Sequence, residues 1–302
     1  MTELYDLRHA LQVFANDNVN TQSQKHIKPL HKYVALRLVL EGGFPPEDIM
    51  PRPPIRMSCV GTQKNPKNIL EFDAAEETNE EVKVLGGLRP KDVDVVVHKA
   101  LIGPVVAVSV KGLRNALRNL TNRMEEAPGD CTNIHMSYPN LVYTYLFLLR
   151  ANSPGAVTPD NAHIFTPDQN GMIKSDDISF KHNKPVPKAH HFATALSRLS
   201  GRFDIRDDIS KYEAVSINMV EPGGSGPPKV LKSPFAQPNI YSISDMFDMI
   251  YKTFDRRYVF VSDVYERRLE RKIWASDSPL FSSEDFKNIE IDYRIRETNP
   301  QD

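Results

Sequence analysis

The chain has 302 residues, 40% of them hydrophobic and 25% charged, with a formal net charge of -1 at pH 7. This composition predicts a folded protein with a substantial core and excludes a disordered or fibrous chain. The small net charge argues against a nonspecific, histone-like binder of polyanions, which carries a large cationic excess. Cys59 and Cys131 lie far apart without CxxC spacing, so neither a disulfide framework nor a zinc site is expected.

The sequence contains no candidate membrane segment. Its longest strongly apolar run, residues 141–149, is much shorter than the roughly 20 residues that a membrane-spanning helix needs. The N-terminus lacks the basic, apolar and small-residue order of a signal peptide. We therefore expect a cytoplasmic protein with no membrane partner.

The N-terminal part predicts two helices. Apolar residues recur at helical spacing over residues 4–14, and a second helix over 30–41 ends at a Gly-Gly pair followed by two prolines. Residues 51–70 are rich in Pro and Lys and are interpreted as a connection. The acidic run at 71–81 is interpreted as a solvated surface.

The next segment predicts an order of strand, strand, helix and strand. Two β-branched runs, 93–97 and 105–110, flank a turn at Ile102-Gly103 and indicate an antiparallel hairpin. Apolar residues form one helical stripe over 113–124, and Pro128-Gly129 is expected to end that helix. Residues 141–149 predict a buried strand.

The C-terminal half alternates loops with further elements. A loop-rich stretch at 153–187 precedes four predicted elements: helices at 189–199 and 243–254, and strands at 214–220 and 258–261. We expect an N-terminal helical and connecting region at 1–85, a core at 86–152, and C-terminal elements at 153–302 that complete the sheet, or one single domain overall. The fold class is α/β, with a mixed central sheet flanked by helices.

The hairpin brings two charged residues together. Residues two apart on a strand share a face, so Ser109 and Lys111 point the same way. If the hairpin folds symmetrically about Ile102-Gly103, Asp94 and Lys111 are direct cross-strand neighbours. Metal-assisted phosphodiester cleavage needs such a pair, because the carboxylate holds Mg²⁺ while the ammonium orients water and stabilises the transition state. A single carboxylate binds Mg²⁺ weakly, so a second acid is required.

These residues resemble a known family. Asp94, a short hairpin and then Ser109-Val110-Lys111 resemble the core of PD-(D/E)XK nucleases, and Gly86-Gly87 ahead of Pro90 suits the lead-in to its first catalytic strand. The serine stands where the main pattern has an acid. This resembles the branch of type II restriction endonucleases that has SxK here and takes its acid from the following helix.

The resemblance implies a set of roles. Asp94 and Glu125 would be metal ligands, Lys111 the catalytic lysine and Ser109 a placeholder for the missing acid. Glu125 follows Lys111 by 14 residues, which on an unbroken helix separates them by about 21 Å. Glu125 therefore serves only if part of that stretch folds back. Otherwise the second acid is Glu41 or Asp92.

The resemblance implies DNA as the substrate, and basic residues near this motif are candidates to contact it. Arg114, Arg118 and Arg123 fall in a segment without acids and are candidates for contacts with DNA phosphates. We expect a Mg²⁺-dependent restriction-type endonuclease that acts on double-stranded DNA as a homodimer, because cutting two strands is simplest with two symmetric sites. The alternative is a noncatalytic nucleic-acid-binding or assembly protein with a degenerate nuclease fold. Ser109 in place of an acid is the feature that supports this alternative.

Overall fold

A computed structural model describes residues 4–19, 24–62, 65–100, 102–224, 226–260 and 269–298. The helices are α1 Leu7–Ala15, α2 Lys28–Leu40, α3 Asn119–Ser137, α4 Pro187–Ser197, α5 Ile243–Phe254, α6 Pro279–Ser282 and α7 Glu284–Lys287. The strands are β1 Ile49–Met50, β2 Ile55–Thr62, β3 Asn65–Phe72, β4 Val82–Leu85, β5 Pro90–Val93, β6 Val95–Lys99, β7 Gly103–Leu113, β8 Val142–Arg150, β9 Phe180–Lys181, β10 Lys184–Pro185, β11 Ala214–Glu221, β12 Lys229–Val230 and β13 Ile240–Tyr241.

The protein is an α/β protein with a mixed central sheet of seven strands. The strand order is β1-β6-β7-β8-β11-β12, and β13 also pairs with β11. The β6–β7 hairpin is antiparallel, whereas β7, β8 and β11 run parallel. The parallel pair β7 and β8 is connected through α3, as a crossover requires. The sheet therefore combines strands from the N-terminal, central and C-terminal parts of the chain.

The central strands of this sheet are buried on both faces, because apolar side chains pack against each face. Val106, Val108 and Val110 of β7 pack into the core formed with α1, α2 and α5. Ala107 of the same strand belongs to the second core, formed with α3 and α4. This alternation places Ser109 and Lys111 on the face that carries α3.

Most predicted elements are confirmed. Helices occupy four of the predicted positions with boundary shifts of a few residues at most, and the hairpin, the buried strand at 142–150 and the strand at 214–221 are present. The cysteines are free, with Cys131 buried and Cys59 exposed. None of the helices within the described residues has the length and apolar character to cross a membrane.

Three predictions are wrong. Residues 51–70 are not a mere connection, because β2 and β3 form a hairpin whose mostly exposed side chains allow its polar composition. Residues 258–259 belong to a π-helical turn, Asp255–Val259, that continues α5, and position 261 lies outside the described residues. The central helix begins six residues later than predicted and passes through Pro128 to Ser137.

The packing of α3 explains why Pro128 does not end it. Ala127, Cys131 and Ile134 recur at helical spacing and are fully or almost fully buried against the sheet. A proline inside a helix removes one backbone hydrogen bond, but burial of an apolar stripe on both sides of it supplies more stabilisation than that loss. Tertiary packing therefore overrides the local stop signal.

Candidate functional site

Asp94 lies at the bend where β5 ends and β6 begins. Its side chain is buried, and its Oδ2 accepts hydrogen bonds from the backbone N–H of Val110 at 2.8 Å and from Ser109 Oγ at 3.3 Å. The pairing of β6 with β7 begins at Val95, the residue after Asp94, which lies opposite Val108. The carboxylate therefore satisfies a backbone donor of β7 beyond the point where the pairing of β7 with β6 ends.

Lys111 completes the contacts of this oxygen. Its Nζ lies 2.7 Å from Asp94 Oδ2, and the lysine side chain is 23% exposed while that of Asp94 is 4% exposed. The expected proximity of the two residues is confirmed. The expected register is wrong by two residues, because the β6–β7 pairs and a bulge after Val97 place Ser109, rather than Lys111, level with Asp94. A register shift of two residues keeps every side chain on the same face of the sheet, so Lys111 still contacts Asp94 as a diagonal neighbour.

Glu125 reaches the same cleft because the chain bends after β7. Residues 114–118 are not helical, Ala116 has a φ of 53°, and α3 begins only at Asn119. The stretch between Lys111 and Glu125 is thus not one unbroken helix, but Glu125 is not in the group of ligand atoms around Asp94. Asp94, Lys111 and Glu125 all line one open cleft of about 820 Å³.

The cleft carries an excess of negative charge. Six carboxylates and four basic side chains line it. Lys91 pairs with Asp130, and Arg123 pairs with Glu126 on α3. Within the described residues, no ion pair is formed by Glu81 or Glu125. Polyanions would be repelled by this surface unless cations compensate its charge.

The rim of the cleft is a turn at residues 86–89, which joins β4 and β5 and is hydrogen-bonded to α3. Asn133 of α3 accepts from the backbone N–H groups of Leu88 and Arg89 and donates to the Arg89 carbonyl. A Cβ at Gly87 would lie 2.5 Å from Met136 Cβ, so only glycine allows this approach. Leu88 is consequently held 76% exposed at the rim.

Two further residues approach Asp94. His31 in the first turns of α2 and Glu81 just before β4 offer ligand atoms that, together with one from Asp94, all lie within 4.8 Å of one another. His31 Nε2 is 3.9 Å from Asp94 Oδ1, the oxygen opposite the one that Lys111 contacts. Within the described residues, Nε2 of this buried histidine has no hydrogen-bond partner.

Burial and nearby charges shape the protonation of His31 and Glu81. Burial lowers the pKa of His31 to about 4, opposed in part by the nearby Asp94 carboxylate, so the imidazole is neutral at pH 7. Burial, and then the charge of Asp94, raise the pKa of Glu81. A carboxyl group whose pKa is raised by burial and by a neighbouring carboxylate is a common arrangement where a cation binds.

The other candidate acids are placed differently. Glu41 ends α2 about 15 Å along the helix axis from His31 and binds Arg37 and Tyr251, so it cannot join the cluster. Asp92 lines the cleft, but its exposed carboxylate faces Lys83 at 3.7 Å. Neither belongs to the group formed by His31, Glu81 and Asp94.

The three arginines also differ in placement. Arg114 precedes α3 and is buried, with its guanidinium donating to the carbonyls of Asp17 and Val19. Because its guanidinium is used in these contacts, Arg114 is not placed to contact DNA phosphates as expected. Arg118 is exposed at the start of α3, and Arg123 lines the cleft. These two remain candidates for phosphate contacts.

Sequence reasoning missed His31 and Glu81. Glu81 is the last residue of the acidic run that was interpreted as solvated surface. His31 stands in an apolar helix, where a histidine more often is a hydrogen-bonded core residue. Neither lies in a local motif with Asp94, because three separate segments bring them together. Comparisons of the chain with family models, with curated proteins and with solved structures found no match.

Proposed function

We infer that this cleft is the active site of a divalent-metal-dependent endonuclease of the restriction type. The observation that carries the proposal is the contact of 2.7 Å between Lys111 Nζ and Asp94 Oδ2 in a cleft where Glu81 and Glu125 form no ion pair with any described residue. An ammonium next to a cluster of acids is the arrangement that metal-assisted phosphodiester hydrolysis uses. The SxK pattern and the position of Glu125 support the same family.

Each residue has a defined task in this proposal. A divalent cation bound by the carboxylates would neutralise the scissile phosphate and lower the pKa of the attacking water. Lys111 orients that water and stabilises the charge that develops on the phosphate oxygens. Asp94 holds the lysine in place through Oδ2, and Ser109 and the Val110 N–H hold Asp94. Hydrolysis adds the water oxygen to phosphorus and breaks one P–O ester bond.

The charge of the cleft fits a substrate that arrives with cations. Six acids against four bases would repel a bare phosphate backbone, so binding of DNA should depend on the same ions as cleavage. Arg118 is exposed directly before the first residue of α3, and Arg123 of α3 lines the cleft; these two are the proposed phosphate contacts. We propose double-stranded DNA as the substrate and a homodimer as the active form, so that two sites cut the two strands.

Cleavage of a long duplex DNA of mixed sequence tests the proposal. Wild-type protein is incubated with Mg²⁺, with Mn²⁺ and with EDTA, beside the Lys111→Met and Asp94→Asn variants. Lys99→Met is the matched control, because Lys99 forms a similar ion pair with Asp48, at 2.6 Å, and neither residue lines the cleft. We expect discrete fragments that disappear with EDTA and with both cleft variants and persist with Lys99→Met.

Two results would count against the proposal. Cleavage that survives Asp94→Asn and Lys111→Met would place the chemistry elsewhere. Intact DNA under every condition, from folded protein that still binds DNA, would favour the noncatalytic nucleic-acid-binding protein. Replacing the duplex by single-stranded DNA or RNA in the same assay identifies the substrate class.

A further inference from the structure

Three separate elements bring different kinds of ligand to one point. His31 comes from α2, Glu81 from the segment before β4, and Asp94 from the bend between β5 and β6. Their ligand atoms lie within 4.8 Å of one another, and the pair His31 Nε2 and Asp94 Oδ1 is 3.9 Å apart. A distance of 3.9 Å is too long for a hydrogen bond between His31 Nε2 and Asp94 Oδ1, so hydrogen bonding between these two atoms does not explain the cluster.

The histidine provides an observation that is independent of the acids. His31 is 3% exposed, and its Nε2, which points at Asp94 Oδ1, has no hydrogen-bond partner among the described residues. A buried polar atom without a partner costs free energy, commonly about 1–3 kcal/mol. A cation bound between His31 and the two carboxylates would remove that cost.

The spacing of the cluster suits a small cation. Such ions hold nitrogen and oxygen ligands at about 2.1 Å, which puts ligand atoms about 3 Å apart when adjacent and about 4.2 Å apart when opposite. The 3.9 Å between His31 Nε2 and Asp94 Oδ1 falls inside this range. Because Lys111 engages Oδ2, the other oxygen of Asp94 is left for the ion.

The type of ligand selects the type of ion. Mg²⁺ prefers an all-oxygen shell and retains much of its water, whereas a neutral imidazole favours first-row transition metals. We propose that His31 Nε2, Glu81 and Asp94 form a site that binds Mn²⁺ and its heavier first-row neighbours in preference to Mg²⁺. This inference adds a preferred ion to the proposed nuclease. Any catalytic use of the ion rests on that proposed function, whereas binding of the ion does not.

Direct binding of Mn²⁺ tests the site without any measurement of activity. Free aqueous Mn²⁺ gives a six-line electron paramagnetic resonance signal that is lost on binding, and Mg²⁺ is titrated in as a competitor. In His31→Leu, we expect Mn²⁺ affinity to fall about tenfold or more while Mg²⁺ affinity changes by less than about threefold. In Glu81→Gln, both affinities fall.

His26→Leu is the matched control. His26 is also a buried histidine, and one of its ring nitrogens has no hydrogen-bond partner among the residues that the structure describes, but it is not part of the cluster. Its replacement should leave Mn²⁺ affinity unchanged, and thermal denaturation confirms that each variant is folded. If His31→Leu does not fold, His31→Gln replaces it, with an oxygen donor that lowers the preference for Mn²⁺ over Mg²⁺.

The outcomes separate this inference from the proposed function. Equal affinity of the wild type for Mn²⁺ and Mg²⁺, or an unchanged Mn²⁺ affinity in the His31 variant, overturns the site. Binding of Mn²⁺ that depends on His31, with no cleavage of DNA by the wild type, keeps the site and rejects the nuclease. Cleavage of DNA by a His31 variant with unaltered ion preference keeps the nuclease and rejects the site.

Discussion

Removing either partner of the Lys111 and Asp94 pair should destabilise the protein, but to different extents. In Lys111→Met the carboxylate stays buried, at 4% exposure, with Ser109 Oγ and the Val110 N–H as its remaining donors. Leaving a buried charge without its partner costs about 3–5 kcal/mol in an enclosed site. Because the lysine is 23% exposed and two donors remain, we expect about 2–3 kcal/mol.

Asp94→Asn should be less harmful. The amide oxygen still accepts from the Val110 N–H, and the freed ammonium of Lys111 can turn toward solvent. Removing the charge also ends its repulsion of Glu81. We therefore expect a loss of about 1 kcal/mol, so that Lys111→Met is the less stable variant by about 1 kcal/mol or more.

Chemical denaturation measures this difference. Trp274 is the single tryptophan and is fully buried, so its fluorescence reports unfolding. Lys99→Met serves as the control for loss of an ion pair outside the cleft. Added Mn²⁺ should restore part of the stability of Lys111→Met, since an ion that binds only the folded state stabilises it. If Lys111→Met is as stable as Asp94→Asn, burial of the Asp94 carboxylate does not carry a free-energy cost that the contact with Lys111 offsets, and the reasoning is refuted.

Three further changes have defined outcomes. Duplex DNA should bind at least about tenfold more tightly with Ca²⁺ than with EDTA in fluorescence anisotropy, because the cleft is acidic. Gly87→Ala should cost about 1–3 kcal/mol in thermal denaturation, since its Cβ would lie 2.5 Å from that of Met136. Burial lowers the pKa of His26 to about 4 in the folded protein, from 6.5 in the unfolded chain. Between these pH values the imidazole is therefore protonated in the unfolded state but neutral in the folded state. Stability then falls as the pH falls, by up to about 1.4 kcal/mol per pH unit, and this slope should be smaller in His26→Gln.

Each of these has its own control. Equal DNA affinity with Ca²⁺ and EDTA would contradict the electrostatic argument. Gly129→Ala, in α3 where a Cβ meets nothing within 4 Å, should stabilise the protein slightly, so a loss there as large as that of Gly87→Ala would point to the helix rather than the turn. A pH slope in His26→Gln equal to that of the wild type would assign the titration to another group.

Local patterns were sufficient for the elements that bury apolar surface. The β-branched runs of β6 and β7 and the apolar stripe of α5 have strong periodicity, and the structure has them within a few residues. The β2–β3 hairpin was missed because its side chains are mostly exposed, so no alternation of apolar and polar residues marks it. The course of α3 through Pro128 depends on tertiary contacts that no local rule contains.

The site shows the same division. Asp94 and Lys111 could be paired from strand parity, which tolerates a register error of two residues. Glu125 depended on where α3 begins, and the positive φ of Ala116 and the non-helical residues 114–118 decide that. His31 and Glu81 could not be assigned, because their distance from Asp94 follows from how α2 and β4 pack rather than from spacing along the chain.

The serine at position 109, where PD-(D/E)XK nucleases usually have an acid, has a physical explanation. Ser109 lies level with Asp94 and donates to its Oδ2, the same oxygen that Lys111 and the Val110 N–H contact. An acid at position 109 would set a second buried carboxylate against that oxygen and compete for the lysine. With Glu81 and Glu125 lining the cleft from other elements, the negative charge of the site does not depend on β7. In the proposed nuclease, the acid is therefore relocated rather than lost, and Ser109 by itself is no argument against catalysis.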